Sequence, residues 1–136
     1  TYPLRIVTDT AQIRKNLEYY IAKVPVKKTP AMSKSVYSVL YARLGNAEQA
    51  LHYFYDSYLP NLNPPFRVIA EFNGGTNPYF ITGAGGTLQA IIFGFAGLEI
   101  TDKGLKQVYT PILPKEWSSL TIRVAGKEIV HVNKNE

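Results

Sequence analysis

Apolar residues recur every three or four positions up to Tyr58 and every second position after residue 97. No single regular element satisfies both periods, so the chain must be helical first and β last. Thr8 and Asp9 are placed to cap a helix whose stripe is Ile13, Leu17, Tyr20, Ile21 and Val24, and Pro25 ends it. A second helix opens at Pro30, carries Met32, Val36, Val39, Leu40 and Leu44, and stops at Gly45. Asn46 then caps a third, with Gln49 three residues on as a capping-box partner. Leu51, Phe54, Tyr55 and Tyr58 form its apolar face, and Pro60 closes it. The short turn between the second and third helices predicts an antiparallel αα-hairpin.

Between the two periods, residues 60–86 hold Pro64, Pro65 and Pro78 together with Asn61, Asn63, Asn73 and Asn77. Irregular stretches of this length in a compact domain are usually functional. Phe66, Val68, Ile69, Phe72, Tyr79, Phe80 and Ile81 make this one too apolar for a solvated linker. It therefore reads as a packed, site-forming loop. A short fourth helix is expected over 87–95, closed by Gly97. Two hairpins follow: 98–101 with 105–109 around Asp102-Lys103-Gly104, then Leu120, Ile122 and Val124 returning as Ile129, Val130 and Val132 after Ala125-Gly126-Lys127. The fold class is α+β, with residues 1–97 as the helical unit and 98–136 as a small antiparallel β unit.

Composition removes whole classes of chemistry. There is no Cys, which excludes disulfides, thiol nucleophiles and thiolate metal sites. His52 and His131 are the only histidines, too few for a histidine metal centre, and neither a metal nor a cofactor is implied. The net charge of +5 is diffuse, its longest cationic run being Lys27-Lys28, so no nucleic-acid partner is expected. The longest apolar run, 90–93, is far below the roughly 20 residues that span a bilayer, and no membrane partner is expected either. Opening on Thr1-Tyr2-Pro3, the chain reads as a piece of something longer.

With Cys and His nearly absent, carboxylates are the candidate chemistry. Glu18, Glu48, Asp56, Glu116, Glu128 and Glu136 read as solvated surface, and Glu99 and Asp102 as ordinary residues beside a hairpin turn. Glu71 differs, because it sits in Phe66-Arg67-Val68-Ile69-Ala70-Glu71-Phe72 with Asn73-Gly74-Gly75 after it. Apolar surroundings disfavour the charged form of a carboxylate and suit it to general acid or base work. The competing reading is a structural Glu71 paired with Arg67 or holding a turn. Thr82-Gly83-Ala84-Gly85-Gly86-Thr87-Leu88-Gln89 is the second candidate, since glycines before a helix start free N–H groups for a polar ligand. It is neither a Walker motif nor a dinucleotide fingerprint, and close helix packing explains the same glycines equally well. The helical tyrosines read mainly as core.

These residues also carry a family resemblance. Pro30-Ala31-Met32, Tyr53-Phe54, Ser57-Tyr58-Leu59-Pro60-Asn61-Leu62, Pro64-Pro65-Phe66 and Glu71 form its first half. Thr82-Gly83-Ala84-Gly85-Gly86, Leu88-Gln89-Ala90, Phe93-Gly94-Phe95 and Gly97-Leu98 complete it. Over about residues 30 to 124 the chain resembles the C-terminal part of glycoside hydrolase family 65, on the side of acid trehalases and glucosyl-galactosyl-hydroxylysine glucosidases. The resemblance implies the last helices of an (α/α)6 barrel followed by a small β unit, and inverting hydrolysis of an α-glucoside or oligosaccharide. It implies Glu71 as general base, with the general acid upstream in a barrel segment outside this chain. Asn73, Thr82, Gly83, Gly85, Gly86 and Gln89 are the expected substrate-binding residues. The family's phosphorylases lack the base, so Glu71 points to water as nucleophile. Fungal acid trehalases carry His where Ala84 stands, which turns the comparison toward bacterial members. The partner implied is the missing upstream part of the barrel, whose absence would leave an apolar face open to self-association. The runner-up is a non-catalytic carbohydrate-binding or structural module.

Overall fold

A computed structural model describes residues 2–124 and 126–133, with Val26 described by its backbone alone. Ala125, expected in a turn, and Glu136, expected at the surface, lie outside the described residues. Four helices and three small antiparallel hairpins make a mixed α+β fold. Helix α1 spans Thr10–Lys23, and the Asp9 carboxylate accepts from the N–H groups of Ala11 and Gln12, as a cap should. Only Leu17 of its predicted stripe is buried, and Tyr20 stays 62% exposed. α2 spans Ala31–Arg43 and α3 Ala47–Asp56, with Asn46 accepting from the Gln49 N–H at 3.0 Å.

The 60–86 stretch is more regular than expected. Its first part is a two-residue ribbon, β1 (Leu62–Asn63) against β2 (Val68–Ile69). Its last part is already helix: α4 runs Ile81–Gln89 and continues as a π-wound turn over Ala90–Phe95. The fourth helix thus begins six residues before the predicted 87, and the glycine-rich segment forms its first two turns instead of a loop ahead of it.

Close approach to α2 explains why a helix accepts so many glycines. A Cβ on Gly83 would lie 2.9 Å from the Ala31 Cβ, and one on Gly86 would lie 3.0 Å from the Ser35 Oγ and 3.3 Å from the Met32 Cα. Gly83, Gly86 and Ala90 share a helical face, and Gly94 extends the contact to Val39 within the π-wound turn. On α2, Ala31, Ser35 and Ala42 offer equally small side chains. The resulting helix–helix approach supplies packing that offsets the low helix propensity of glycine.

α2 therefore lies between α3 and α4, and the core fills the angle between them. Val39, Ala42, Ala50 and Phe95 are essentially sealed, with Leu51 and Phe54 beside them. Hairpin β3 (Leu98–Thr101) with β4 (Gly104–Gln107) pairs Thr101 with Gly104 around a two-residue turn, one residue tighter than predicted. Hairpin β5 (Ser119–Val124) with β6 (Lys127–Val132) lies where expected, except that Lys127, read as a turn residue, already belongs to β6 and pairs with Val124. Trp117 joins the β part to the helices, its ring centroid 4.7 Å from Phe95 and 5.7 Å from Phe54.

Glu99, read as an ordinary residue beside a turn, and Asp56, read as solvated surface, both hold largely buried cations. Glu99 is paired with Arg43 at 3.0 Å and Arg5 at 3.1 Å. Arg43 lies between the rings of Tyr2 and Tyr109 and donates through Nε to the Phe93 carbonyl. Asp56 pairs with Lys34 between α3 and α2. Both acids lie on polar faces in sequence; only the neighbouring element supplies the cation.

Candidate active-site loop around Glu71

Proline starts α2 without a side-chain cap, since Pro30 offers no acceptor. The Glu71 carbonyl fills that role and accepts the Ala31 N–H at 2.7 Å, satisfying one of the helix's orphan donors. One residue earlier, the fully buried Ala70 donates its N–H to the Asn61 carbonyl at 2.8 Å. The main chain of Glu71 is thereby fixed to two elements that flank the core. Ala31 is also the residue that Gly83 packs against. Glu71 and the first turn of α4 meet at the N-terminus of α2.

Asparagines hold the rest of the loop, because their amides can replace backbone partners where no ladder exists. Asn61 is itself buried and donates through Nδ2 to the Ser57 carbonyl. Asn63 Nδ2 reaches the Gly75 carbonyl at 2.9 Å, closing the Asn73–Gly75 turn onto β1. Asn77 grips Glu71 twice: its Nδ2 donates to Glu71 Oε2 at 3.1 Å, and its Oδ1 accepts the Glu71 N–H at 3.4 Å.

The Glu71 side chain is half-buried, less enclosed than its apolar flanks suggested. Arg67, the structural partner considered from sequence, is exposed with φ 54°. Its charge acts on Tyr58, where it partly opposes the upward push that burial gives the phenol's pKa.

The other expected site residues divide by position. Thr82 is exposed and Gly85 has open space where a Cβ would be, both on the first turns of α4. Asn73 is exposed on the turn two residues after Glu71. Gly83 and Gly86 are buried and face α2. Gln89 lies at the far end of α4, where its side-chain oxygen accepts the Tyr2 hydroxyl. Sequence reading missed Asn77; the Asn77-Pro78 pair is a turn signal that could have drawn attention to it.

Around the loop the surface is apolar. Phe66 is 85% exposed, Ile81 79% and Tyr79 76%, and Phe72 adds to the same segment.

No protein-family model matches the chain. Among curated proteins it is 54% identical over 127 residues to a kojibiose hydrolase of Mucilaginibacter mallensis, a match covering 93% of this chain and 19% of the relative. It is 56% identical over 128 residues to a kojibiose hydrolase of Flavobacterium johnsoniae, with the same two coverages. The chain is homologous to a portion of the glycoside hydrolase family 65-like proteins. A protein-glucosylgalactosylhydroxylysine glucosidase of Dictyostelium discoideum is 36% identical over 112 residues, covering 82% of this chain and 15% of that protein. Trehalose phosphorylase and acid trehalase relatives match as well, so hydrolases and phosphorylases both occur among the kin. The chain spans about a fifth of the length of its first relatives, and its homology is to that portion.

Proposed function

We propose that this chain supplies the general base and part of the sugar site of an inverting α-glucoside hydrolase. The observation that carries the reading is the fixing of Glu71. It is a half-buried carboxylate held through its carbonyl, its N–H and its carboxyl oxygen at the N-terminus of α2. Kinship with kojibiose hydrolases supports an α-glucosidic substrate.

In this reading Glu71 takes a proton from a water molecule as its oxygen attacks the anomeric carbon. A carboxylic acid on the opposite face protonates the departing glycosidic oxygen. Inverting sites hold the two groups about 6.5–9.5 Å apart. The acid comes from a segment upstream of this chain, within a barrel whose closing helices are α2 to α4, and residues 98–136 form the β unit beyond it. Asn73, Thr82 and Gly85 line the sugar site from the exposed side of the loop. Gly83 and Gly86 serve it from behind, by letting α4 approach α2. Gln89 contributes once Tyr2 gives way or from the edge of the site. The apolar rim of Phe66, Phe72, Tyr79 and Ile81 is the face that upstream segment covers.

Glu71→Gln in the intact protein tests the assignment. Loss of a positioned base costs about 10²–10⁴-fold in rate. We expect kcat to fall by that much with substrate binding retained, partial rescue by azide on a glucosyl fluoride, and wild-type turnover that does not depend on phosphate. Near-full activity of the variant would return the chain to a non-catalytic binding role, and phosphate-dependent turnover would make it a phosphorylase component.

A further inference from the structure

We infer that Asn77 is the positioning residue of the Glu71 carboxylate, a role that rests on Glu71 being the base. The amide can face Glu71 in only one sense. Its Nδ2 must meet the acceptor-only carboxylate and its Oδ1 must meet the main-chain N–H, as observed at 3.1 and 3.4 Å. The clasp therefore fixes the side-chain torsions of Glu71 relative to a backbone that Ala31 and Asn61 already hold.

Local structure is arranged around that contact. Gly75 closes a turn by donating to the Phe72 carbonyl, and a Cβ on it would lie 3.1 Å from Asn77 Oδ1. Absence of a side chain at Gly75 makes room for the amide to reach back across six residues. Pro78 follows Asn77 and restrains its backbone to extended conformations. Asn73 and Thr82, the nearest in sequence of the expected substrate-binding residues, make no such contact with Glu71 among the described residues, so one oxygen of the carboxylate is held by Asn77 and the other is left for water.

Asn77→Asp separates the two halves of the clasp. It keeps an oxygen to accept the Glu71 N–H but puts a carboxylate where the donor was. A purely structural Asn77 would show as a lower unfolding temperature with kcat kept. A positioning residue lowers kcat itself, because misplacing a catalytic group by about 1 Å costs on the order of 10²-fold.

The experiment compares Asn77→Asp, Glu71→Gln and the double variant in the intact protein, with thermal unfolding recorded for each. We expect Asn77→Asp to lower kcat by about 10- to 100-fold with KM largely unchanged, and to cause no further loss once Glu71 is Gln. Wild-type kcat in Asn77→Asp, or losses that multiply in the double variant, overturns the role of Asn77 while leaving Glu71 as base. An active Glu71→Gln overturns the base itself. Should Asn77→Asp fail to fold, Asn77→Ser, which lacks the donor but retains a short acceptor, is read by the same criteria.

Discussion

Lys34 Nζ lies 2.9 Å from Asp56 Oδ2 across the α2–α3 interface, with the lysine side chain 4% exposed and the aspartate 28%. Lysine heads rarely stay inside without an opposite charge, so the pair fixes how the two helices of the αα-hairpin register. Removing one member of a buried pair is far costlier than removing both. Asp56→Ala should destabilise the protein by about 3 kcal/mol, the low end for such pairs because water reaches the Asp56 side. Lys34→Met combined with Asp56→Asn should recover much of that loss. Urea unfolding of the two variants and the wild type checks it, and a wild-type midpoint for Asp56→Ala would refute the pair's importance.

Gly83 and Gly85 stand two residues apart on α4 and should respond oppositely to the same substitution. Alanine at Gly83 would drive its Cβ into that of Ala31, which cannot swing away. Overpacking of this kind costs about 1–3 kcal/mol and outweighs the helix-propensity gain of nearly 1 kcal/mol. Alanine at Gly85 meets nothing within 4 Å. There the propensity gain stands, and stability should rise by about 0.5–1 kcal/mol. If Gly85 also lines the sugar site, Gly85→Ala will show higher stability together with weaker substrate binding. Denaturation midpoints and KM, measured on the same preparations, separate the two effects.

His131 on β6 faces Leu120, and its Nε2 is buried without a hydrogen-bond partner among the described residues. Burial lowers its pKa, so the folded protein favours the neutral ring. The unfolded chain binds the proton first, near the ordinary value of about 6.5. The stability from neutral His131 is complete above that pH and is lost as the pH falls below it toward the lower folded value. Melting temperature should decline on acidification from about pH 6.5, and His131→Leu should flatten that part of the curve. A variant with the same acid limb as wild type would show that other groups carry it.

The regular elements were largely legible because their signals are local. Asp9 and Asn46 cap where capping chemistry places them, and Pro25 follows the end of α1 as its missing N–H requires. Pro60 does not close α3, which already stops at Asp56; it sits inside a short 3-10 turn over Leu59–Asn61. Alternation in 119–132 marked the β5–β6 hairpin, although Lys127 joins the strand and not the turn. Glu71 stood out because a lone carboxylate among apolar residues breaks a pattern that needs no structure to see.

What misled was every feature whose cause lies on another element. Glycines at 82–86 read as a loop because intrinsic propensity penalises them in helices. Only the proximity of Ala31 and Ser35 makes small residues the better choice there. Asp56 read as solvated and Glu99 as an ordinary residue beside a turn, since nothing in their own segments announces Lys34 and Arg43. Asn77 carried a turn signal but no hint of its partner, because reaching Glu71 depends on how the Asn73–Gly75 turn folds back.

The sequence by itself determined where the first three helices start, where the period changes to β, and which carboxylate to examine. Those follow from backbone chemistry and from spacing along a single element. Tertiary structure decided which glycines of α4 face a helix and which face open space, which acids hold buried cations, and which amide clasps Glu71. Those depend on distances of about 3 Å between residues that no local rule brings together, and such distances are set only when α2, α3, α4 and the loop close on one another.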